Sequence, residues 1–190
     1  WAIEDPDTSK NRWLMEYNLK AKINAGFSTS IHLKRVSDGD IFNDYGLSQT
    51  TAEQSFINSD AKINYQGTTP LLAKASLAIV THQNLTAGIP AYDQLPHATI
   101  AGGMLINQQE QPVRANYSVD LSRFTRDSSG LTGSSKITGT RTHLLPNLST
   151  SWVNDYSFIK PKISLPITHY QLKDTPSTIT ASNTRAIPQL

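Results

Sequence analysis

Residues 114–124 read RANYSVDLSRF. Ala115, Tyr117, Val119 and Leu121 fall on one side of a period-two pattern, and Arg114, Asn116, Ser118, Asp120 and Ser122 fall on the other. Successive side chains of a β-strand point to opposite faces, so this is a strand with two unlike sides. What lies on each side decides the fold: core against water, or lipid against a wet interior.

The same pattern recurs along the chain. Arg12–Ile23 sets Trp13, Met15, Tyr17, Leu19, Ala21 and Ile23 against Glu16, Asn18, Lys20 and Lys22, with Leu14 as an exception. Phe27–Val36, Ser55–Tyr65, Leu71–His82 and Pro96–Ile106 alternate likewise before the opening stretch, and Thr140–Trp152 and Tyr156–Tyr170 follow it around a turn at Asn154 and Asp155. A last run is cut by the chain end. NAG (Asn24–Gly26), QGTTP (Gln66–Pro70) and NQQEQ (Asn107–Gln111) are short turn signals. Ser37–Glu53, Gln83–Gln94 and Thr125–Gly139 are long polar connections.

Two regularities point to a membrane barrel. The runs extend to about 10–14 residues, whereas soluble strands cluster near 5–6 and a tilted membrane strand needs about 9–11. Connections also alternate short and long, the rhythm of an up-and-down barrel with tight turns on one side and large loops on the other. Trp13, Phe27, Tyr65, Phe124, Trp152, Tyr156, Phe158 and Tyr170 lie near run ends, where an aromatic girdle would sit. The expected class is therefore all-β: an antiparallel up-and-down transmembrane β-barrel, or a fragment of about nine strands from a larger one. Residues 1–190 would form part of a single outer-membrane barrel domain with both ends cut inside it.

Composition narrows the function. Hydrophobic residues make up 37% and charged residues 17% of the 190, with Ser, Thr, Asn and Gln filling the difference. The net charge is +2 and no Lys/Arg cluster occurs, so nucleic acid is not an expected partner. Without cysteine there is no disulfide and no thiolate metal site. No apolar run is long enough for a membrane helix.

With the strands placed, KNRWLMEYN, VSDGDIFNDYG, RTHLLPNLS, PKISLPITHYQL and NTRAIPQL resemble, in order, consecutive elements in the barrel of the LptD family, the organic solvent tolerance proteins that assemble lipopolysaccharide. The resemblance spans nearly the whole chain and is weakest from Gln83 to Gln111. It implies a periplasmic jelly-roll domain ahead of a very large barrel of about 26 strands, of which this chain would be the middle wall. It further implies lipopolysaccharide as substrate, an LptE-like plug lipoprotein in the lumen, and periplasmic lipopolysaccharide bridge proteins reached through the N-terminal domain. The jelly roll and the lateral gate between first and last strands would lie elsewhere.

Residue chemistry adds little that is catalytic. His32, His82, His97, His143 and His169 are scattered, and no H-E-x-x-H, G-x-S-x-G or P-loop motif occurs. No cofactor and no enzymatic activity are expected. Asp38, Asp40 and Asp44, with Asn43, could hold Ca²⁺ or Mg²⁺, but the EF-hand pattern is not matched and turn chemistry accounts for them more simply. The polar face carries Glu16, Lys20, Lys22, Asp60, Lys62, Lys74, Arg114, Asp120, Lys160 and Lys162, expected to line the lumen. Two other functions share parts of this pattern: a porin-type passive channel, and a soluble secreted all-β binding domain.

Overall fold

The alternating runs pair with one another in the order in which they occur. The computed structural model of the chain describes residues 2–5, 10–44, 55–107 and 112–189. Its strands are β1 (Ala2–Asp5), β2 (Lys10–Asn24), β3 (Phe27–Val36), β4 (Phe56–Gln66), β5 (Lys74–Asn84), β6 (Asp93–Asn107), β7 (Val113–Thr125) and β8 (Thr138–Ser149). Shorter ones follow: β9 (Trp152–Val153), β10 (Phe158–Ile159), β11 (Lys162–Ser164), β12 (Ile167–Lys173) and β13 (Ser182–Ala186). An 11-stranded antiparallel sheet runs β1-β2-β3-β4-β5-β6-β7-β8-β12-β13, with β11 also on β8. Among the described residues no pairing joins β13 to β1.

Register turns alternation into two continuous faces. One row crosses the sheet through Phe27, Tyr65, Ala75, Ile100, Val119, Leu144 and Ile167, each the direct partner of the next. The row beside it on the same face holds Thr29, Ile63, Leu77, Ala98, Leu121 and Thr142. On the other face, Lys22, Ser28, Asn64, Ser76, Thr99, Asp120, His143 and Thr168 form a polar row. A one-residue slip would exchange the faces, so hydrophobic pattern and register fix each other.

The apolar face has no core to enter. Ile63 is 49%, Leu77 53%, Ile79 49% and Ile100 43% exposed. Among the described residues the buried hydrophobic cluster comprises only Val36, Ile41, Phe42 and Ile57, with Leu14 and Leu85 against it. A soluble sandwich would turn a continuous apolar face inward, and a patch of this extent left outside marks a membrane or partner surface.

The small cluster sits at the end of β2–β3 that carries the long connection. There the chain forms one helical turn, α1 (Ile41–Asp44). Ile41 and Phe42 point back against Val36, and the Lys34 ammonium lies 5.6 Å from the Phe42 ring centre. Leu14, the exception in its strand, is explained: it reaches this cluster from the polar side, opposite Val36. The rest of the Ser37–Glu53 loop, and most of the NQQEQ turn, lie outside the described residues.

Several expected boundaries move, each for a local reason. Residues Leu71 and Leu72 do not open β5; with Pro70 they form a 3-10 turn. That turn lies against β6 beyond the end of the β5 pairing, and a side chain on Gly102 would strike the Leu71 carbonyl. The connection Gly67–Ala73 is consequently almost as long as Leu85–Tyr92, which weakens the expected short–long rhythm at this point. The expected single run Tyr156–Tyr170 is broken. Pro161 and Pro166 lack an amide donor, and they separate β10, β11 and β12. Asn154 does make the expected turn, its side-chain oxygen accepting from the amides of Tyr156 (3.0 Å) and Ser157 (2.7 Å). Yet β9 and β10 form a two-stranded sheet of their own. β1 was not expected from the pattern.

Candidate functional site

The chemistry-bearing side chains of this chain are concentrated on the polar face. Of the histidines, His32, His82, His97 and His143 share it, whereas His169 lies opposite Thr142 on the other face and bonds the Thr184 hydroxyl (2.8 Å). The polar face is most tightly knit in the half nearer the long connections. His97 Nε2 lies 2.7 Å from Asp120 Oδ2, while Asp120 Oδ1 accepts from Arg141 Nη2 and the Ser122 hydroxyl, both at 3.1 Å. His143 bonds Thr168 across the next strand pair (2.8 Å). His82 Nδ1 stands 3.2 Å and His32 Nδ1 3.7 Å from Asp93 and Asp60 respectively.

This arrangement is structural in form. Ser122 is buried and gives its hydroxyl to Asp120, so among the described residues no serine is bonded to His97 as a nucleophile–base pair requires. The strands β6, β7 and β8 are instead laced by a hydrogen-bonded ion network in which the carboxylate has three donors.

A second lacing closes the loop end. Arg12 is only 7% exposed and its guanidinium forks onto Asp38 through Nε (3.1 Å) and Nη2 (2.5 Å), while Nη1 reaches Asp44 (2.5 Å). Ser37 also donates to Asp38 (2.6 Å). The Arg12 bonds, helped by Ser37 and the Asp40 amide, hold the Asp38 carboxyl below the usual carboxylate range. The candidate metal loop Asp38, Asp40, Asp44 is thus built around an arginine, and among the described residues no group of acidic or histidine side chains is arranged to hold a metal. Further round, Arg126 stacks on Tyr92 at 3.8 Å and donates to its hydroxyl (2.5 Å), tying the β5–β6 connection to the segment after β7.

The expected lumen residues divide accordingly. Glu16 accepts from Asn18 (3.0 Å), and Asp60 and Asp120 belong to the His–Asp contacts above. Lys20, Lys22, Lys62, Lys74, Arg114 and Lys162 share their face, toward the ends joined by Gly26, Gly67 and the β8–β11 connection. Among the described residues none of these six makes an ion pair. Lys160 differs: it follows β10 outside the main sheet, its ammonium 5.4 Å from the Phe158 ring centre. Two expected girdle aromatics are also displaced. Phe124 and Tyr170 fall on the polar face, paired in register with Gly139 and Arg141, whereas Trp13, Phe27 and Tyr65 are on the apolar one. Phe27 and Tyr65 pack with ring centres 4.8 Å apart.

A continuous apolar face without a core, backed by a polar face rich in charge, is the cross-section of a membrane barrel wall. A model of the family described as LPS transport system D matches residues 10–190. The chain belongs to the LptD family. It is therefore a stretch of an outer-membrane β-barrel protein. Among similar proteins, the LPS-assembly protein LptD of Thiobacillus denitrificans is 26% identical over 176 residues, covering 91% of this chain and 23% of that protein. The LPS-assembly protein LptD of Polaromonas sp. is 29% identical over 177 residues (86% and 21%), and that of Marinobacter nauticus 24% over 172 (90% and 21%). The chain spans roughly a fifth of the length of these relatives.

Proposed function

We propose that this chain is a segment of barrel wall in a protein that assembles lipopolysaccharide in the outer membrane, acting as a scaffold and passage and not as a catalyst. The observation that carries the reading is the pair of unlike faces in a sheet whose sequence matches the LptD family model. The row Phe27–Tyr65–Ala75–Ile100–Val119–Leu144–Ile167 faces hydrocarbon, and the row Lys22–Ser28–Asn64–Ser76–Thr99–Asp120–His143–Thr168 faces a hydrated lumen. The whole chain of residues 1–190 belongs to one barrel domain. Backbone groups in lipid must be paired, so the outer edges of β1 and β13 are taken up by strand pairing in the assembled barrel. A lipoprotein plug of the LptE kind occupies the lumen, and periplasmic bridge proteins deliver lipopolysaccharide through a separate N-terminal domain.

A porin-type channel would share the strand pattern but not the cargo. The test is to deplete the full-length protein in its own cells and follow two quantities: newly made lipopolysaccharide at the cell surface, and uptake of small hydrophilic solutes. Lipopolysaccharide should stop short of the outer leaflet. Unchanged surface lipopolysaccharide with reduced solute uptake would replace this reading by the channel.

A further inference from the structure

The acids and the bases of the polar face are unequally engaged. Asp60 and Asp120 contact histidines, and Asp120 also holds Arg141, although it shares its row with Lys22. The same face carries Lys20, Lys22, Lys62, Lys74, Arg114 and Lys162, and among the described residues no carboxylate pairs with any of them. Ordinary lumen solvation predicts cross-strand pairs of opposite sign, because like charges on neighbouring strands repel. Cations left without a carboxylate partner instead raise the local potential toward anions.

The lysines also surround space. A cavity of about 330 Å³ is lined by Ser28, Lys62, Asn64, Lys74, Ser76 and Thr99, all on the polar face, with Gly26 and Gln66 at its rim. A second cavity of about 350 Å³ adjoins it through Gly26, Ser28 and Gln66 and brings in Lys22. Asn64 and Ser76 are register partners, so an amide and a hydroxyl stand between Lys62 and Lys74. Lysine ammoniums act as point charges for phosphate, and amides and hydroxyls supply the neutral donors of a sugar site. The space is too large for a lone phosphate and suits a sugar that carries one.

We propose that Lys22, Lys62 and Lys74, with Ser28, Asn64 and Ser76, form a binding trough for a phosphorylated saccharide. This deepens the lipopolysaccharide reading above, since the sugar part of such a cargo is what a hydrated lumen can admit. A trough in the wall gives the passing chain a transient electrostatic hold.

The test uses the full-length protein in detergent micelles and trace acetylation of lysines, read residue by residue by mass spectrometry. Glucose 1-phosphate is the probe, with glucose and ionic-strength-matched sulfate as the comparisons. Glucose 1-phosphate should slow acetylation of Lys22, Lys62 and Lys74 by about tenfold and leave Lys173, outside the trough, unchanged. The double variant Lys62→Gln, Lys74→Gln, with wild-type heat-modifiable gel mobility, should lose the protection at Lys22. Equal slowing by sulfate, equal slowing at all lysines, or no slowing would each overturn the trough. None of those outcomes touches the wall reading, which the depletion experiment decides separately.

Discussion

Replacing Val119 by arginine places a charge where the fold leaves it no partner. Val119 is the middle residue of β7, which runs for 13 residues. With a rise of about 3.4 Å per residue and a tilt near 45°, it lies about 14 Å from either strand end along the membrane normal. That is the middle of an apolar band about 25 Å tall. Its cross-strand partners are Ile100 and Leu144, neither able to accept a hydrogen bond through its side chain. Arginine on the lipid face near the midplane costs about 2–4 kcal/mol, a factor of roughly 30 to 1,000 in the folding equilibrium. Ser118, the adjacent residue, points to the other face between Ala101 and Leu145, so Ser118→Arg should cost less than about 1 kcal/mol. The assay is a denaturant titration of the full-length protein folding into lipid vesicles, followed by tryptophan fluorescence. Equal losses for the two variants, or a larger loss for Ser118→Arg, would refute the assignment of faces.

Three further outcomes are expected. Arg12→Gln should loosen the loop-end cluster: amide hydrogen exchange at residues 37–44 should speed up while β6–β8 remains unchanged. The same loop should respond to acid: the folded Asp38 carboxyl lies below its unfolded value, so its contribution is complete above about pH 4 and disappears as pH falls through the lower folded value, read as exchange at residues 37–44 against pH. Gly102→Ala should displace the 3-10 turn, because a Cβ there would stand 1.9 Å from the Leu71 carbonyl oxygen; a loss of about 1–3 kcal/mol is expected in the vesicle titration, and an unchanged midpoint would show that the turn is not packed there.

How much of this was legible in the sequence depends on range. β3 was read to the residue and β7 to within one at each end, because Phe27–Val36 and Arg114–Phe124 carry their pattern locally. Sharing of a face was legible for the same reason. Long-range facts were not. Arg12 meets Asp38 and Asp44 across 26 and 32 residues, and nothing in a polar stretch marks Ile41 and Phe42 as the seed of a buried cluster. β1 is a four-residue strand, visible only through its partner β2. Phe124 and Tyr170 misled because aromatics at strand ends serve either face. Phe124 packs with Tyr92, ring centres 6.1 Å apart, under the Arg141 guanidinium on the polar side. That Lys22, Lys62 and Lys74 have no carboxylate partner among the described residues required register, since only pairing shows which acids are already engaged with histidines.

The most direct test of the barrel wall is a cysteine scan of β7, one position at a time from Ala115 to Phe124, in the full-length protein in native outer membranes. Each thiol is offered a water-soluble maleimide, then a fluorophore quenched by a lipid-chain quencher. Residues Ala115, Tyr117, Val119 and Leu121 should be quenched by lipid and slow with the maleimide, and Asn116, Ser118 and Asp120 should show the reverse. A uniform profile, or lipid quenching at the even positions, would contradict the two-faced wall.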